Sequence, residues 1–389
     1  MAATTTPARK AAIAGAVTAG SLVAAGALSA VAAASYYARR VLTPDRQRPD
    51  DTQILVVDGD SVTLGATPDT LSPGRYGLWL DRDRGHARVG EVLEVNEASG
   101  RVRRELLGVD FGHLTPGFAR WNQYYFASTP DRALGLRTEY VDVETELGTM
   151  PAWVVPAAAE SDRWAILVHG RGATRQEGLR AVRPLHDAGL NVIVPSYRND
   201  LGARSGPDGR YNLGLSEWRD IEDAGLLAVR RGARALVLVG WSMGGAIVLQ
   251  TLSRSWLAER VTHVVLDAPV IDWGDVIAHH AQVNGIPAPI SGLSRALMGR
   301  RSARRLVGVH HPVDVAETNW VTRAEELQHR ILLIHSVDDE FVPVGPSLAL
   351  AAARPDLVTM ERWERARHTK EWNVDPERWE ASVAAFIGS

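Results

Sequence analysis

From about residue 136 onward, apolar runs of strand length alternate with segments whose apolar residues recur at helical spacing. WAILVHG, NVIVPSY, ALVLVG and THVVLDAP are continuous apolar runs, the pattern of strands buried on both faces. Between the first two, Leu179, Val182 and Leu185 share a helical face, and Gly189 marks the stop. Before the third, Ser216 is placed to cap a helix through EWRDIEDAGLLAVRR with Ile221, Leu227 and Ala228 inward and Gly232 at its end. RTEYVDVETE and MPAWVVPA alternate as two half-buried strands around Leu147-Gly148-Thr149. Successive βαβ units predict an α/β fold: a mostly parallel sheet with helices on both faces.

The preceding residues read differently. An uncharged stretch of 28 residues runs from Ala11 to Ala38, between Arg9-Lys10 and Arg39-Arg40. Its length suits a bilayer span, and Tyr36 and Tyr37 sit where interfacial aromatics belong. Residues 1–40 are therefore expected to be a hydrophobic helix acting as a single-pass membrane anchor, the side undetermined. The alternative is a signal peptide cleaved near Ala30-Val31-Ala32, which would make the protein secreted. Residues 41–52, Pro-rich and charged, read as a linker, and residues 53–110 as a small β-rich module. Residues 111–135 read as an aromatic connector carrying Phe111, Phe118, Trp121, Tyr124, Tyr125 and Phe126, an inter-domain packing surface. The domain with the alternating pattern occupies 136–389.

Gly240-Trp241-Ser242-Met243-Gly244 stands directly after an apolar strand and directly before an apolar helix. A strand-to-helix elbow there exposes a nucleophilic serine, and glycines two residues to either side avoid collision across the sharp turn. A serine needs a neutral imidazole as base, which a carboxylate must hold in one tautomer.

In four motifs taken in order, VHGRGA, GWSMGG, HSVDDEFVP and RARHT, residues 136–389 resemble the α/β-hydrolase superfamily, in its esterase, acylglycerol-lipase and aminopeptidase-like branch. The resemblance implies the α/β-hydrolase fold, a triad in the order Ser, acid, His, and no cofactor. Carried over, the nucleophile is Ser242, the acid Asp339 and the base His368, the sole one of 12 histidines beyond the acid candidates. Asp338 and Asp267 are the alternative acids. The backbone N–H groups of Arg171 and Met243 are the implied oxyanion hole, and His169 is expected to order the loop beside it. This sequence departs from the family in two places: Ser336 replaces a usual Gly, and Arg367 stands where relatives carry Gly before the base.

The stretch of about 270–326 fits no simple βα unit and reads as a cap insertion, with Trp273, Ile286, Leu293, Leu297 and Met298 as apolar pocket lining or cap core. Arg295, Arg300, Arg301, Arg304 and Arg305 form either a solvated face or an attraction for an anionic membrane surface. The adjacent pairs His279-His280 and His310-His311 do not make a metal site. With 43 Lys and Arg against 46 Asp and Glu, and no cysteine, a basic nucleic-acid surface, thiolate metal sites and a cysteine nucleophile are excluded. The expected activity is hydrolysis of a carboxylic ester, thioester or amide, on a small-molecule or lipid-like acyl substrate, through an acyl-enzyme. The alternatives are acyl transfer by the same triad and a hydrolase-fold binding protein without catalysis.

Overall fold

The computed structural model describes residues 28–44 and 49–388. The chain forms two compact units, one made of residues 1–43 and 277–315, the other of 44–276 and 316–389.

In the first unit, helix α1 (28–42) buries Ala34, Tyr37, Ala38 and Leu42 and exposes Leu28, Tyr36, Arg39 and Arg40. Tyr37 Oη donates to the Ile277 carbonyl at 2.8 Å, and Arg39 Nε to that of Leu306 at 2.7 Å. Later in this unit come Ala288–Gly299 and the short helix Arg304–Val307. Leu297 and Met298 are buried and Ile286 and Leu293 half-buried. Most of the uncharged stretch from Ala11 lies outside the described residues; among those described, no helix is long and apolar enough to cross a membrane.

The second unit begins with a closed antiparallel barrel of six strands. In chain order they are β1 (Thr52–Asp58), β2 (Ser61–Gly65), β3 (Tyr76–Leu80), β4 (Gly85–Asn96), β5 (Arg101–Phe111) and β6 (Gly117–Asn122). Around the barrel the order is β1-β2-β5-β4-β3-β6, and β6 closes it by pairing with both β1 and β3. The strand run therefore extends past residue 110, where the sequence reading placed the start of a connector. Alternation buries Leu78, Val89, Val102 and Trp121 in the barrel core, and the Trp121 ring lies 4.7 Å from that of Tyr76. GFARWN is short, and its aromatics resemble those that follow, so nothing local marks it as a strand. Tyr125 and Phe126 do pack as a surface, 5.8 and 5.5 Å from the Trp372 ring.

The remainder is an α/β-hydrolase fold. Its eight strands are β7 (Glu139–Thr145), β8 (Gly148–Val155), β9 (Arg163–Val168), β10 (Asn191–Pro195), β11 (Ala235–Trp241), β12 (Val261–Asp267), β13 (Arg330–Ser336) and β14 (Val358–Trp363). They lie in the order β14-β13-β12-β11-β9-β10-β8-β7, parallel from β14 to β10 and antiparallel at β8 and β7. The chain runs from β9 outward to β10, then returns to lay β11 on the other side of β9. That reversal opens a crevice beyond the carboxyl ends of β9 and β11, so the loop after β9 and the residue after β11 meet there.

After the short helix α2 (Pro130–Leu134), helix α3 (Leu179–Asp187) and the C-terminal helix Pro376–Ile387 share a core cluster with Val237, Val239 and Trp241. Helix α4 (Trp218–Arg230) packs beside α5 (Met243–Arg254). Ser216 does not cap α4. Its hydroxyl turns to Glu217, whose buried carboxylate accepts the N–H groups of Asn212 and Gly214 at 2.7 and 3.0 Å. A carboxylate offers about four acceptor positions against the two of a hydroxyl.

Candidate active site

Ser242 stands between β11 and α5 with φ 51° and ψ −118°, a backbone conformation that L-residues rarely adopt. The flanking glycines make it possible. A Cβ on Gly240 would lie 2.7 Å from the Gly244 backbone, and one on Gly244 would lie 2.0 Å from the Val168 carbonyl oxygen. Only glycine lets the elbow close against β9.

His368 comes to this elbow on the loop after β14. Its Nε2 lies 2.9 Å from Ser242 Oγ, and its Nδ1 lies 2.7 Å from Asp339 Oδ2. The loop after β13 orders the carboxylate, because Asp339 Oδ1 accepts the N–H groups of Phe341 and Val342, both at 2.8 Å. Burial alone would raise the Asp339 carboxyl, but His368 beside it and hydrogen bonds from His335 and His368 hold it well below the usual carboxylate range. Burial in turn disfavours the charged imidazole of His368, and the Asp339 anion outweighs that and raises its pKa.

The three consecutive acids of the loop diverge. Asp338 Oδ2 accepts the Arg365 N–H at 2.6 Å, Asp339 faces His368, and Glu340 Oε1 accepts from Arg367 Nε at 2.8 Å. Arg367, the departure from the family's glycine, is thus one of the residues that tie the two loops together. Asp267 is not brought to the histidine. It lies buried at the end of β12, its Oδ2 accepting from Trp241 Nε1 at 3.2 Å and Trp379 Nε1 at 2.8 Å.

Met243 is the first residue of α5, so its N–H is among the amides that have no partner within the helix. Arg171 lies between Gly170, whose N–H donates to Glu177 Oε2 at 2.6 Å, and Gly172, whose N–H donates to Tyr211 Oη at 3.1 Å. A Cβ on Gly170 would stand 3.2 Å from Ser242 Cβ, so glycine lets this loop close up to Ser242. His169 stacks on Tyr197 at 4.3 Å and holds Asp200 Oδ2 at 2.8 Å, which orders the loop from below.

Several participants escaped the sequence reading. His335, within the HSVDDEFVP motif, places its Nε2 3.1 Å from Asp339 Oδ2 and its Nδ1 2.8 Å from Ser347 Oγ. A histidine four residues before Asp339 was the available signal. Glu177 binds the Gly170 amide, and Arg180 beside it donates to the Thr369 carbonyl at 2.6 Å. Glu371 lies buried, its Oε1 accepting the Ser336 N–H at 3.0 Å, and burial together with the nearby Asp267 carboxyl raises its pKa well above the ordinary value. No local pattern announces these partners. Among the described residues no cluster of His, Asp or Glu is arranged to hold a metal ion.

The arrangement allows one piece of chemistry directly: a proton path from a strained serine to an imidazole whose other nitrogen faces a carboxylate. Comparison with known proteins agrees with the fold. Residues 165–385 match the family described as "Alpha/beta hydrolase family", and residues 53–122 match one described as "Domain of unknown function (DUF8805)". No curated protein sequence matches. Among solved structures, the esterase Pf2001 of Pyrococcus furiosus superposes with a TM-score of 0.52 at 18% identity, covering 67% of this chain and 93% of that one. A further structure of that esterase gives 0.50 at 19% identity, covering 68% and 94%. A thermophilic esterase from Thermogutta terrifontis gives 0.46 at 18%, covering 64% and 98%. The chain belongs to the alpha/beta hydrolase family.

Proposed function

We propose that the protein is a serine hydrolase acting on a carboxylic ester, thioester or amide through an acyl-enzyme. The observation that carries this reading is the continuous path Ser242 Oγ to His368 Nε2 at 2.9 Å and His368 Nδ1 to Asp339 at 2.7 Å, centred on a strained elbow. His368 takes the Ser242 proton as Oγ attacks the carbonyl carbon, and the Met243 and Arg171 amides receive the oxyanion. Collapse breaks the bond to the leaving group, to which His368 returns the proton. Water then repeats the sequence on the acyl-enzyme and frees Ser242. Asp339 stays ionised throughout and stabilises the imidazolium.

A fluorophosphonate probe and a series of p-nitrophenyl esters of increasing acyl length test this in the full chain. Labelling and turnover are expected, and both should vanish in Ser242→Ala. Turnover that survives in that variant removes Ser242 from the chemistry, while absence of labelling in the wild type favours a binding protein. Acyl transfer is read by adding an alcohol and measuring how the acyl group partitions between it and water.

We further infer that the first unit, residues 1–43 with 277–315, attaches the protein to an anionic membrane. The whole chain carries a formal charge of −3, yet this unit holds nine Lys and Arg residues against one carboxylate, Asp314. Arg39, Arg40, Arg300, Arg301, Arg304 and Arg305 are exposed, and so are Leu28 and Tyr36 on α1. Basic residues beside an apolar segment gain about 1 kcal/mol each near an anionic bilayer. Flotation with phosphatidylglycerol-containing and pure phosphatidylcholine vesicles tests the idea: the excess binding to the anionic vesicles should fall with salt and with charge reversal of residues 300, 301, 304 and 305. Equal binding to both vesicles contradicts it.

A further inference from the structure

The loop that carries His368 contains two residues with left-handed backbone and no glycine to favour it: Arg365 has φ 63° and Thr369 φ 53°. Such a loop does not hold its shape by local preference; contacts from outside must fix it. The acid loop supplies some through Asp338 and Glu340. The rest come from the barrel.

The β2–β3 segment of the barrel bears directly on this loop. Asp69 Oδ1 accepts from Arg367 Nη1 at 2.9 Å and from Lys370 Nζ at 2.7 Å, the residues one before and two after His368. Gln123, just past β6, donates through Nε2 to Thr369 Oγ1 at 3.1 Å and to Glu177 Oε1 at 2.6 Å, so it touches the base loop and the oxyanion-side network together. Arg75 N–H donates to the Asn373 carbonyl at 2.8 Å, and Asn373 Nδ2 donates back to the Arg75 carbonyl at 2.6 Å and to that of Gln123 at 2.9 Å. Gly74 lies so close that a Cβ there would stand 2.0 Å from the Asn373 oxygen.

The barrel is built to keep that segment rigid. Arg104, with no exposed surface, lies over the rings of Tyr76 and Trp121 at 5.4 and 5.1 Å. Its guanidinium donates to the carbonyls of Thr70, Ser72 and Gly74 at 2.8, 2.6 and 2.7 Å, and twice to that of Gly90 at 3.0 and 2.6 Å. These bonds use all five donors of the side chain, three of them on the residues that follow Asp69. The cation serves as a strut for the loop and not as an ion-pair partner.

We propose that the barrel of residues 52–122 is a positioning element for the catalytic base, with Asp69 as its principal positioning residue, acting through Arg367 and Lys370. This rests on the reading of His368 as base. It gives the barrel a role in the reaction although none of its residues touches Ser242, His368 or Asp339 in the hydrogen bonds described. His368 is faced by Asp339 and Glu340 from the acid loop, by Glu177 from the oxyanion side, and has Arg367 and Lys370 on its own loop. Neutralising Asp69 therefore leaves two cations near the imidazole less compensated, which favours its neutral form.

The test is Asp69→Asn in the full chain, nearly isosteric and uncharged. The expected result is a kcat on p-nitrophenyl acetate lower by on the order of 10- to 100-fold with KM little changed, as for a displaced base. The acid limb of the pH profile should move to lower pH, which a merely structural role would not produce. Asp69→Glu should restore part of both. If Asp69→Asn does not fold, Lys370→Met reads the same contact from its other end: kcat falls and the acid limb moves to higher pH. A wild-type kcat together with a wild-type limb in either folded variant overturns the proposal. The His368 pKa, followed by NMR of histidine-labelled protein with His368→Gln for assignment, separates this from the functional reading. Should the wild type neither turn over esters nor label, the serine-hydrolase reading fails, while an unmoved His368 titration in Asp69→Asn independently overturns the role of Asp69.

Discussion

Asp339 turns one carboxylate oxygen to His368 Nδ1 at 2.7 Å and gives the other to two backbone amides, so its orientation is set from both sides. The neighbouring Asp338 instead holds the Arg365 N–H. Asn at position 339 would present an amide to the ring and favour the wrong tautomer, with an expected loss in kcat on the order of 10⁴. Asp338→Asn keeps an oxygen acceptor for Arg365 and should change kcat only a few-fold. Paired steady-state measurements decide between them, and the reverse ranking would place the base partner at 338.

As the proposed base, His368 acts when neutral, so kcat/KM should rise with pH through its titration. Burial lowers that pKa, but Asp339 outweighs burial and raises it, so the acid limb should lie at or above the ordinary histidine value of about 6.5. The residual activity of Asp339→Asn should show its limb at lower pH, since the anion is gone. The linked effect on stability has the same origin: with the folded pKa raised, the His368 contribution is complete below its unfolded value and is lost as pH climbs through the folded one. A wild-type limb well below 6.5 would contradict the pairing.

The strain at Ser242 predicts a trade between stability and function. Ser242→Ala and Ser242→Gly both remove Oγ and both should be inactive, but only glycine tolerates φ 51° and ψ −118° without a Cβ conflict. Urea denaturation should find Ser242→Gly more stable than Ser242→Ala by about 1 kcal/mol. Equal stability would mean that the elbow stores no strain at this residue.

Glu371 and Asp267 are buried and interact electrostatically, and each retains an oxygen, Glu371 Oε2 and Asp267 Oδ1, that no N–H or hydroxyl donor reaches. The two carboxyls are expected to share a proton. Burial raises both pKa values, Glu371 well above the ordinary range, so the folded state keeps a proton that the unfolded chain releases. Stability should therefore decline as pH rises from the unfolded glutamate value of about 4.3 toward the folded one. Glu371→Gln, which carries its hydrogens at all pH values, should flatten that decline, whereas Glu371→Ala should cost about 1–3 kcal/mol by leaving Asp267 and the Ser336 amide without their partner. Denaturation curves at pH 6 and pH 8 check the slope, and a Glu371→Gln protein as pH-sensitive as the wild type would refute the shared proton.

The amino-acid sequence by itself determined the sheet strands and the elbow, because burial of an apolar run and the steric demand for Gly240 and Gly244 are decided within a few residues. Through the family resemblance it also named Ser242, Asp339 and His368, which the structure brings into one hydrogen-bonded chain. Tertiary structure alone gave the directions that turn Asp339, the acid the family resemblance selected, to His368 and Asp338 to Arg365, and it set Glu217 in the place expected for a Ser216 cap. It alone closed the barrel with β6 and brought Asp69 to Arg367 across 298 residues of chain. It also gathered the exposed arginines of residues 39–40 and 300–305 into one unit of a chain whose charges look evenly mixed. Hydrogen bonds and ion pairs between distant segments depend on where whole strands and loops come to rest, and side-chain pattern along the chain carries no record of that geometry.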